Sequence, residues 1–338
     1  MTIQEAIKKV IAGNDLTIEE SVNVFSDIMS GTATDAQIAA LIVSLRMKGE
    51  SVEEITGAAS VMREKATLVL PQNKECVIDT CGTGGDNLNT FNISTAAAFV
   101  AAGAGATVAK HGNRSVSSKC GSADVLESLG VNISISPEKI KKCLDNVGIG
   151  FLFAVSLHKA MKYSIGPRKE IGVRTIFNIL GPLTNPAMAS SQLMGVFSPS
   201  LTETMARVLK NMGSRSAYVV HGMDSLDEIS LSTLTQISEL KNGAVRTYTI
   251  QPEDFGLRRT PLSDIKGGTP SQNAKIIRDV LEGKTGPQRD IVIFNTAFAL
   301  AACGLASDPE EGIILAAKSI DSGNALSKLE QLVKFTNS

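Results

Sequence analysis

The sequence predicts an α/β fold: a mainly parallel central sheet flanked by helices, with a smaller all-helical domain at the N-terminal end. Three observations carry this. Every periodic run before residue 69 is helical, the first proline is Pro71, where helix formers give way to strand formers, and after it short β-type runs alternate with helical ones. Such alternation argues for right-handed βαβ units whose ligand site lies beyond the C-terminal ends of the strands. With 338 residues and 43% hydrophobic content, the chain can fill one large core and a smaller one.

Four helix starts precede residue 60. Thr2-x-x-Glu5, Thr17-x-x-Glu20, Thr34-x-x-Gln37 and Ser51-x-x-Glu54 have capping-box form, in which a hydroxyl accepts the N3 amide and the N3 side chain reaches back. Ile38, Leu41, Ile42 and Leu45 recur at amphipathic spacing, and Gly13, Gly31 and Gly49 punctuate the gaps. Residues 1–68 are therefore expected to form the helical domain and 69–338 the α/β domain. Strands are expected at Val77–Asp79, Ala106–Ala109, Asn132–Ile135, Gly150–Ala154, Met194–Phe197, Ala217–Val220, Thr235–Leu240 and Arg246–Ile250, with a helical run at Ala96–Ala102. Leu157–Ile179 fits the sheet pattern poorly and reads as two helices broken at Gly166-Pro167. One arrangement returns part of 157–185 to the helical domain, giving two crossings that could hinge. From Asn273 the chain reads as helical, with a buried helix beginning at Asp290.

Lys+Arg 33 against Asp+Glu 34 leaves a net charge of -1, so no global field attracts nucleic acid or an anionic membrane. No basic leader followed by an apolar core opens the sequence, and no run of about 18 apolar residues appears, so a cytoplasmic protein is expected. The cysteines Cys76, Cys81, Cys120, Cys143 and Cys303 lack Cys-x-x-Cys spacing and read as reduced packing residues. His111, His158 and His221 show neither triad partners nor metal-ligand spacing.

Chemistry concentrates in three loops placed where strands should end. Asp79 to Thr95 carries Gly82, Gly84 and Gly85 and opens a helix at Asn92, Ser94 and Thr95. Backbone amides and a helix N-terminus there form an anion cradle suited to phosphate, although the same glycines would serve a tight strand-to-helix turn. Neither the Walker spacing nor G-x-G-x-x-G is present, since Asn87 stands at the third glycine position. The second loop, Lys110 to Asp124, brings Lys110, Arg114 and Lys119 among serines and glycines, which suits a diphosphate or a solvated basic turn. In the third, Asp227 and Glu228 offer oxygen ligands for Mg²⁺ or are ordinary surface-turn acids. Arg168 could fork onto a carboxylate.

The strings Gly-Thr-Gly-Gly-Asp at 82–86, Asn-Ile-Ser-Thr at 92–95, Lys-His-Gly-Asn-Arg-Ser-Val-Ser-Ser at 110–118, Gly-Ser-Ala-Asp-Val-Leu-Glu at 121–127 and Arg-Thr-Ile-Phe-Asn-Ile-Leu-Gly-Pro-Leu-Thr-Asn-Pro at 174–186 closely resemble the anthranilate phosphoribosyltransferase family. The resemblance covers nearly the whole chain. It implies a nucleoside phosphorylase/phosphoribosyltransferase-like fold and transfer of a phosphoribosyl group from 5-phosphoribosyl 1-diphosphate to anthranilate, in tryptophan biosynthesis. It also implies Mg²⁺ as cofactor and a homodimer contacting through the helical domains. By position, Gly82, Gly85, Asp86, Thr90, Asn92, Ile93, Ser94, Thr95, Lys110, His111, Gly112, Asn113, Arg114, Ser115, Val116, Ser117, Ser118 and Ser122 would hold the phosphoribosyl diphosphate. Ser94, Asp227 and Glu228 would serve Mg²⁺, Gly82, Asn113 and Arg168 would serve anthranilate, and Lys110, His111, Asn113 and Arg168 would have catalytic roles. The family commonly has His-Pro-Ala-Met where this chain reads His158-Lys159-Ala160-Met161, so the backbone at the acceptor entrance is expected to differ. A pyrimidine nucleoside phosphorylase would need a nucleoside pocket and a Lys-His-Ser-Thr-Gly-Gly type of loop, which is not seen. A non-catalytic nucleic-acid-binding relative would need a basic, aromatic-rich surface, whereas aromatic content is 4% with no Trp.

Overall fold

The computed structural model describes residues 1–73, 75–115 and 119–338. All four capping boxes form. Helices α1 (Ile3–Ile11), α2 (Ile18–Ser30), α3 (Asp35–Lys48) and α4 (Val52–Glu64) each begin at a Thr or Ser whose hydroxyl accepts the N3 amide while the N3 side chain returns to the cap. Gly31 ends α2 in the left-handed region at φ +79, where a β-carbon would be strained. Ile38, Leu41, Ile42 and Leu45 all face inward.

The α/β part runs β1 (Val77–Asp79), α5 (Ile93–Gly103), β2 (Thr107–Gly112), α6 (Ser122–Ser128), α7 (Pro137–Asn146), β3 (Ile149–Phe153), α8 (Ala154–Leu157), α9 (Lys162–Ile171), α10 (Phe177–Leu180), β4 (Ser191–Gly195), α11 (Leu201–Asn211), β5 (Ser216–Gly222), β6 (Thr235–Lys241) and β7 (Ala244–Ile250). Helices α12 (Pro270–Leu281), α13 (Pro287–Cys303), α14 (Pro309–Asp321) and α15 (Asn324–Asn337) close the chain. The strands form one sheet, in the order β3-β2-β1-β4-β5-β6-β7. Pairing is parallel from β3 through β5 and antiparallel for β6 and β7. Strand order reverses between β1 and β4, so the loops following them diverge and leave a crevice.

Both faces of the sheet are buried, and side chains alternate between them. Ile78, Val108, Leu193, Tyr218 and Val220 join the core of α5 and α13 to α15. On the other face, Val77 and Ala109 pack with α7, while Met194, Ala217 and Val219 share a core with α2, α3, α4 and α11. The helical part is thus not an island: its apolar core continues onto the sheet.

Two sequence expectations are corrected. Asn132–Ile135 forms no strand, because the Asn132 amide donates to Thr336 Oγ1 on α15 (3.2 Å) and the Ser134 amide to Asn132 Oδ1 (3.0 Å), leaving no ladder to join. The 157–179 stretch is not broken at Gly166-Pro167. Instead α9 runs through both residues and ends at Gly172 in the left-handed region, φ +64. Pro167 lies inside the helix, where its missing N–H removes one bond, that to the Tyr163 carbonyl. Helix α9 packs against α3 and α2, with Tyr163 filling the space beside Gly31. Among the described residues no helix is long and apolar enough to cross a membrane.

Candidate active site

The first loop crosses the end of β4. A Cβ on Gly82 would lie 2.8 Å from the Gly195 carbonyl, and the Thr83 amide donates to that same oxygen at 2.8 Å. Gly84 and Gly85 take φ +65 and +87, which only glycine adopts without strain. Asp86 Oδ1 accepts the Leu88 amide at 3.1 Å, whereas Oδ2 is buried with no hydrogen-bond partner. Thr90 bridges Lys266, so residues 265–268 brace the loop from outside. At the start of α5 the amides expected to await an anion are partly engaged: Ile93 N donates to Phe91 O (2.7 Å), Thr95 N to Asn92 O (3.1 Å) and Ser94 N to Glu228 Oε1 (3.1 Å). A carboxylate from the third loop thus already caps this positive helix end. Asn92 turns sideways, donating to the Cys120 carbonyl (3.2 Å) and accepting from Asn273 Nδ2 (2.9 Å). Thr95 Oγ1 is buried without a partner, and the Ile93 side chain lies in the core.

β2 delivers Lys110 into the same crevice. Although buried, its Nζ contacts Thr80 O (3.2 Å), Thr80 Oγ1 (3.3 Å) and Ser94 Oγ (3.4 Å), so a cation stands between the first two loops. A β-carbon on Gly112 would overlap the Ser122 hydroxyl. Asn113 is exposed, its carbonyl accepting from Ser122 Oγ (3.3 Å) and Ala123 N (3.2 Å). Arg114 does not face the crevice alone: Nη1 pairs with Asp124 (2.9 Å) and Glu127 (2.6 Å), which hold its charge on α6. The Ser115 amide donates to Asp124 Oδ2 at 3.2 Å. Val116, Ser117 and Ser118 lie outside the described residues.

His111 points away from Lys110, as strand alternation requires. Its Nδ1 lies 3.1 Å from the Gly181 carbonyl and its Nε2 lies 3.2 Å from His158 Nε2. Burial pushes His111 down to about 3, helped by His158, and His158 down to about 4, so both rings are neutral. Beneath them, Asp79 accepts from His111 N (3.1 Å) and Asn185 Nδ2 (2.7 Å), and burial raises it to about 6 against the pull of Lys110. Neither Asp79 nor Asn185 is among the site residues that the sequence motifs single out. A signal was available in the acid that ends a buried Val-Ile-Asp strand.

The third loop meets the first two at the acids. Desolvation pushes Asp227 well above the ordinary carboxylate range, with Asp86 and then Glu228 adding like-charge repulsion. Glu228 is raised to about 7 by desolvation, opposed by Lys110 and worsened by Asp86. Three carboxylates crowded against one ammonium, with an orphaned Asp86 oxygen, form an incomplete charge set that a cation would complete. Among the described residues, Asp79, Cys81 and His111 alone bring three possible ligand atoms within 4.8 Å of one another, but Asp79 and His111 already spend theirs on protein hydrogen bonds. The more open Asp86, Asp227 and Glu228 fit Mg²⁺, which retains waters and phosphate oxygens as ligands. On α9, the Arg168 guanidinium stacks on Phe177 at 5.1 Å and has no carboxylate partner among the described residues.

The family described as "Glycosyl transferase family, a/b domain" matches residues 74–326, and "Glycosyl transferase family, helical bundle domain" matches 4–66. The anthranilate phosphoribosyltransferase of Geobacter sulfurreducens is 55% identical over 348 residues, covering 99% of each chain. This chain belongs to the anthranilate phosphoribosyltransferase family. The family's enzyme from Thermus thermophilus superposes with a TM-score of 0.94 at 41% identity, over 98% of this chain and 99% of that one. A Saccharomyces cerevisiae anthranilate phosphoribosyltransferase structure in complex with PRPP and Mg has a TM-score of 0.89 at 29% identity, covering 99% and 98%. The same yeast enzyme in complex with 4-fluoroanthranilate has a TM-score of 0.88 at 28% identity, covering 99% and 98%. The anthranilate phosphoribosyltransferase fold thus covers this chain end to end, helical domain included.

Proposed function

We infer that the chain transfers the phosphoribosyl group of 5-phosphoribosyl 1-diphosphate to anthranilate, giving N-(5-phosphoribosyl)anthranilate and diphosphate, as a step of tryptophan biosynthesis. The observation that carries the residue assignment is the meeting of Asp86, Asp227 and Glu228 with Lys110 and Ser94 at the switch point of the sheet. Phosphoribosyl diphosphate is held by the first two loops, and anthranilate by Gly82, Asn113 and Arg168, the unpaired fork of Arg168 taking its carboxylate. Ser94, Asp227 and Glu228, with Asp86, hold Mg²⁺, which when bound offsets the charge gathering on the leaving diphosphate. Buried Lys110 adds a fixed positive charge beside the leaving diphosphate. The C1–O bond to diphosphate breaks as the C1–N bond to the amine forms. The nucleophile is a neutral aromatic amine, so no strong base is needed before attack, which agrees with His111 and His158 being held neutral against each other. After attack the nitrogen is acidic, and its proton passes to a diphosphate oxygen or to water.

The helical domain is taken as residues 1–68 joined by part of 157–185, and a homodimer through it belongs to the same proposal. Apolar side chains on its surface support that contact, Met47 being 83% and Ile165 56% exposed. The free cysteines and charged small-molecule substrates suit the cytoplasm. The phosphorylase and nucleic-acid readings are not favoured: the relatives carry the transferase name, and net charge is -1.

The test is loss of anthranilate fluorescence on adding phosphoribosyl diphosphate, with Mg²⁺ and then with excess chelator. Consumption that stops on chelation is expected. A folded protein that leaves anthranilate unchanged with Mg²⁺ present would overturn the reading.

A further inference from the structure

Arg174 lies between Gly172, which ends α9, and α10, on the segment leading from the helical domain back to the sheet. Its Nη2 donates to the Gly85 carbonyl at 2.6 Å, and its guanidinium stacks on the Phe197 ring at 4.6 Å. Phe197 is tied to the same loop, its amide donating to Thr83 Oγ1 at 3.2 Å. Gly85 has φ +87, and a Cβ built there would come within 2.9 Å of Nη2, so the guanidinium fills the space a side chain would need. Among the described residues Arg174 has no carboxylate partner. Next in sequence stands Asp86, whose Oδ2 is the orphaned oxygen facing the other acids.

On the reading above, we propose that Arg174 is a positioning residue for the metal- and diphosphate-binding loop. It grips the Gly85 carbonyl from the crossing segment, so that Asp86 is held against Asp227 and Glu228. A charged donor on a carbonyl resists displacement more than a neutral one, and the stack on Phe197 fixes the fork's plane. Arg168, on α9, leads directly into this segment. The acceptor side of the crevice is therefore joined mechanically to the donor loop, and displacement of α9 would be felt at Asp86.

The test compares wild type, R174A and R174K by calorimetric titration with magnesium phosphoribosyl diphosphate and by Mn²⁺ paramagnetic resonance, alongside steady-state kinetics. R174A is expected to weaken binding of the magnesium complex by about tenfold or more, the worth of one charged hydrogen bond. Its KM for phosphoribosyl diphosphate should rise to match, while KM for anthranilate stays within about twofold. R174K, which keeps charge but loses the planar fork, should fall between. If R174A does not fold, R174K and F197L carry the test, each expected to weaken binding several-fold. Wild-type affinity in the folded variants overturns the proposal alone. A wild-type protein that fails to bind the magnesium complex overturns the functional reading and the proposal with it.

Discussion

His111 and His158 share a hydrogen bond whose direction is set by a third group. Because His111 Nδ1 faces the Gly181 carbonyl, it carries the proton, so its Nε2 accepts from His158 Nε2–H. Unfolded, each ring titrates near 6.5, while in the fold they are depressed to about 3 and about 4. From pH 6.5 down to about 4 the unfolded chain therefore binds more protons. This contribution is whole above pH 6.5 and is lost on acidification. Asp79, raised to about 6, works in the opposite sense, so the measurement is a difference. In urea unfolding, the advantage of wild type over H158N should shrink by roughly 1–2 kcal/mol between pH 7 and 5; a gap constant with pH would show that His158 is not buried neutral. For Arg168, R168A should raise the anthranilate KM about tenfold or more and leave the phosphoribosyl diphosphate KM within about twofold. Equal rises would remove Arg168 from the acceptor site.

β4 and the loop after β5 touch at one glycine. A Cβ on Gly195 would overlap the Asp227 carbonyl, so this close approach is what brings Asp227 and Glu228 over the strand ends. G195A should displace that loop and raise the Mg²⁺ concentration for half-maximal activity about tenfold or more; wild-type metal dependence would show that the approach does not set the site. The N-terminal helices depend on their caps. T17A removes the hydroxyl that accepts the Glu20 amide and should lower stability by about 1 kcal/mol, read by urea unfolding.

One apolar core spans α2, α3 and α4, part of the sheet and α11. Arg63 on α4 reinforces it, donating to the carbonyls of Leu183 (2.7 Å) and Met212 (3.3 Å), with its pKa pushed down to about 10 by burial. Units sharing a core unfold together, so calorimetry should show a single transition. F25A, in α2, should lower that whole transition, at a cost of about 3–5 kcal/mol for a fully buried ring. Two resolved transitions, with only one moved by F25A, would show that the helical part folds alone.

The capping boxes, the glycine punctuation and most strands were legible because each is fixed by residues within a turn or a pleat of one another. The three loops were legible for the same reason, as was a mainly parallel sheet. What stayed hidden depended on distant partners. Asn132–Ile135 has strand composition, yet α15 takes its amide. Pro167 looks like a helix break, yet packing on α3 and α2 carries α9 through it. Nothing local announces that Arg114 pairs with Glu127 on the next helix. Glu228 caps a helix 134 residues away in sequence, and Asn185 supports Asp79 across 106. Which segments form, and which of them end in chemistry, follows from neighbours along the chain, since those choices are local. Which of those groups meet is a property of the folded molecule, because burial and hydrogen-bond pairing are set by whatever element the fold lays alongside.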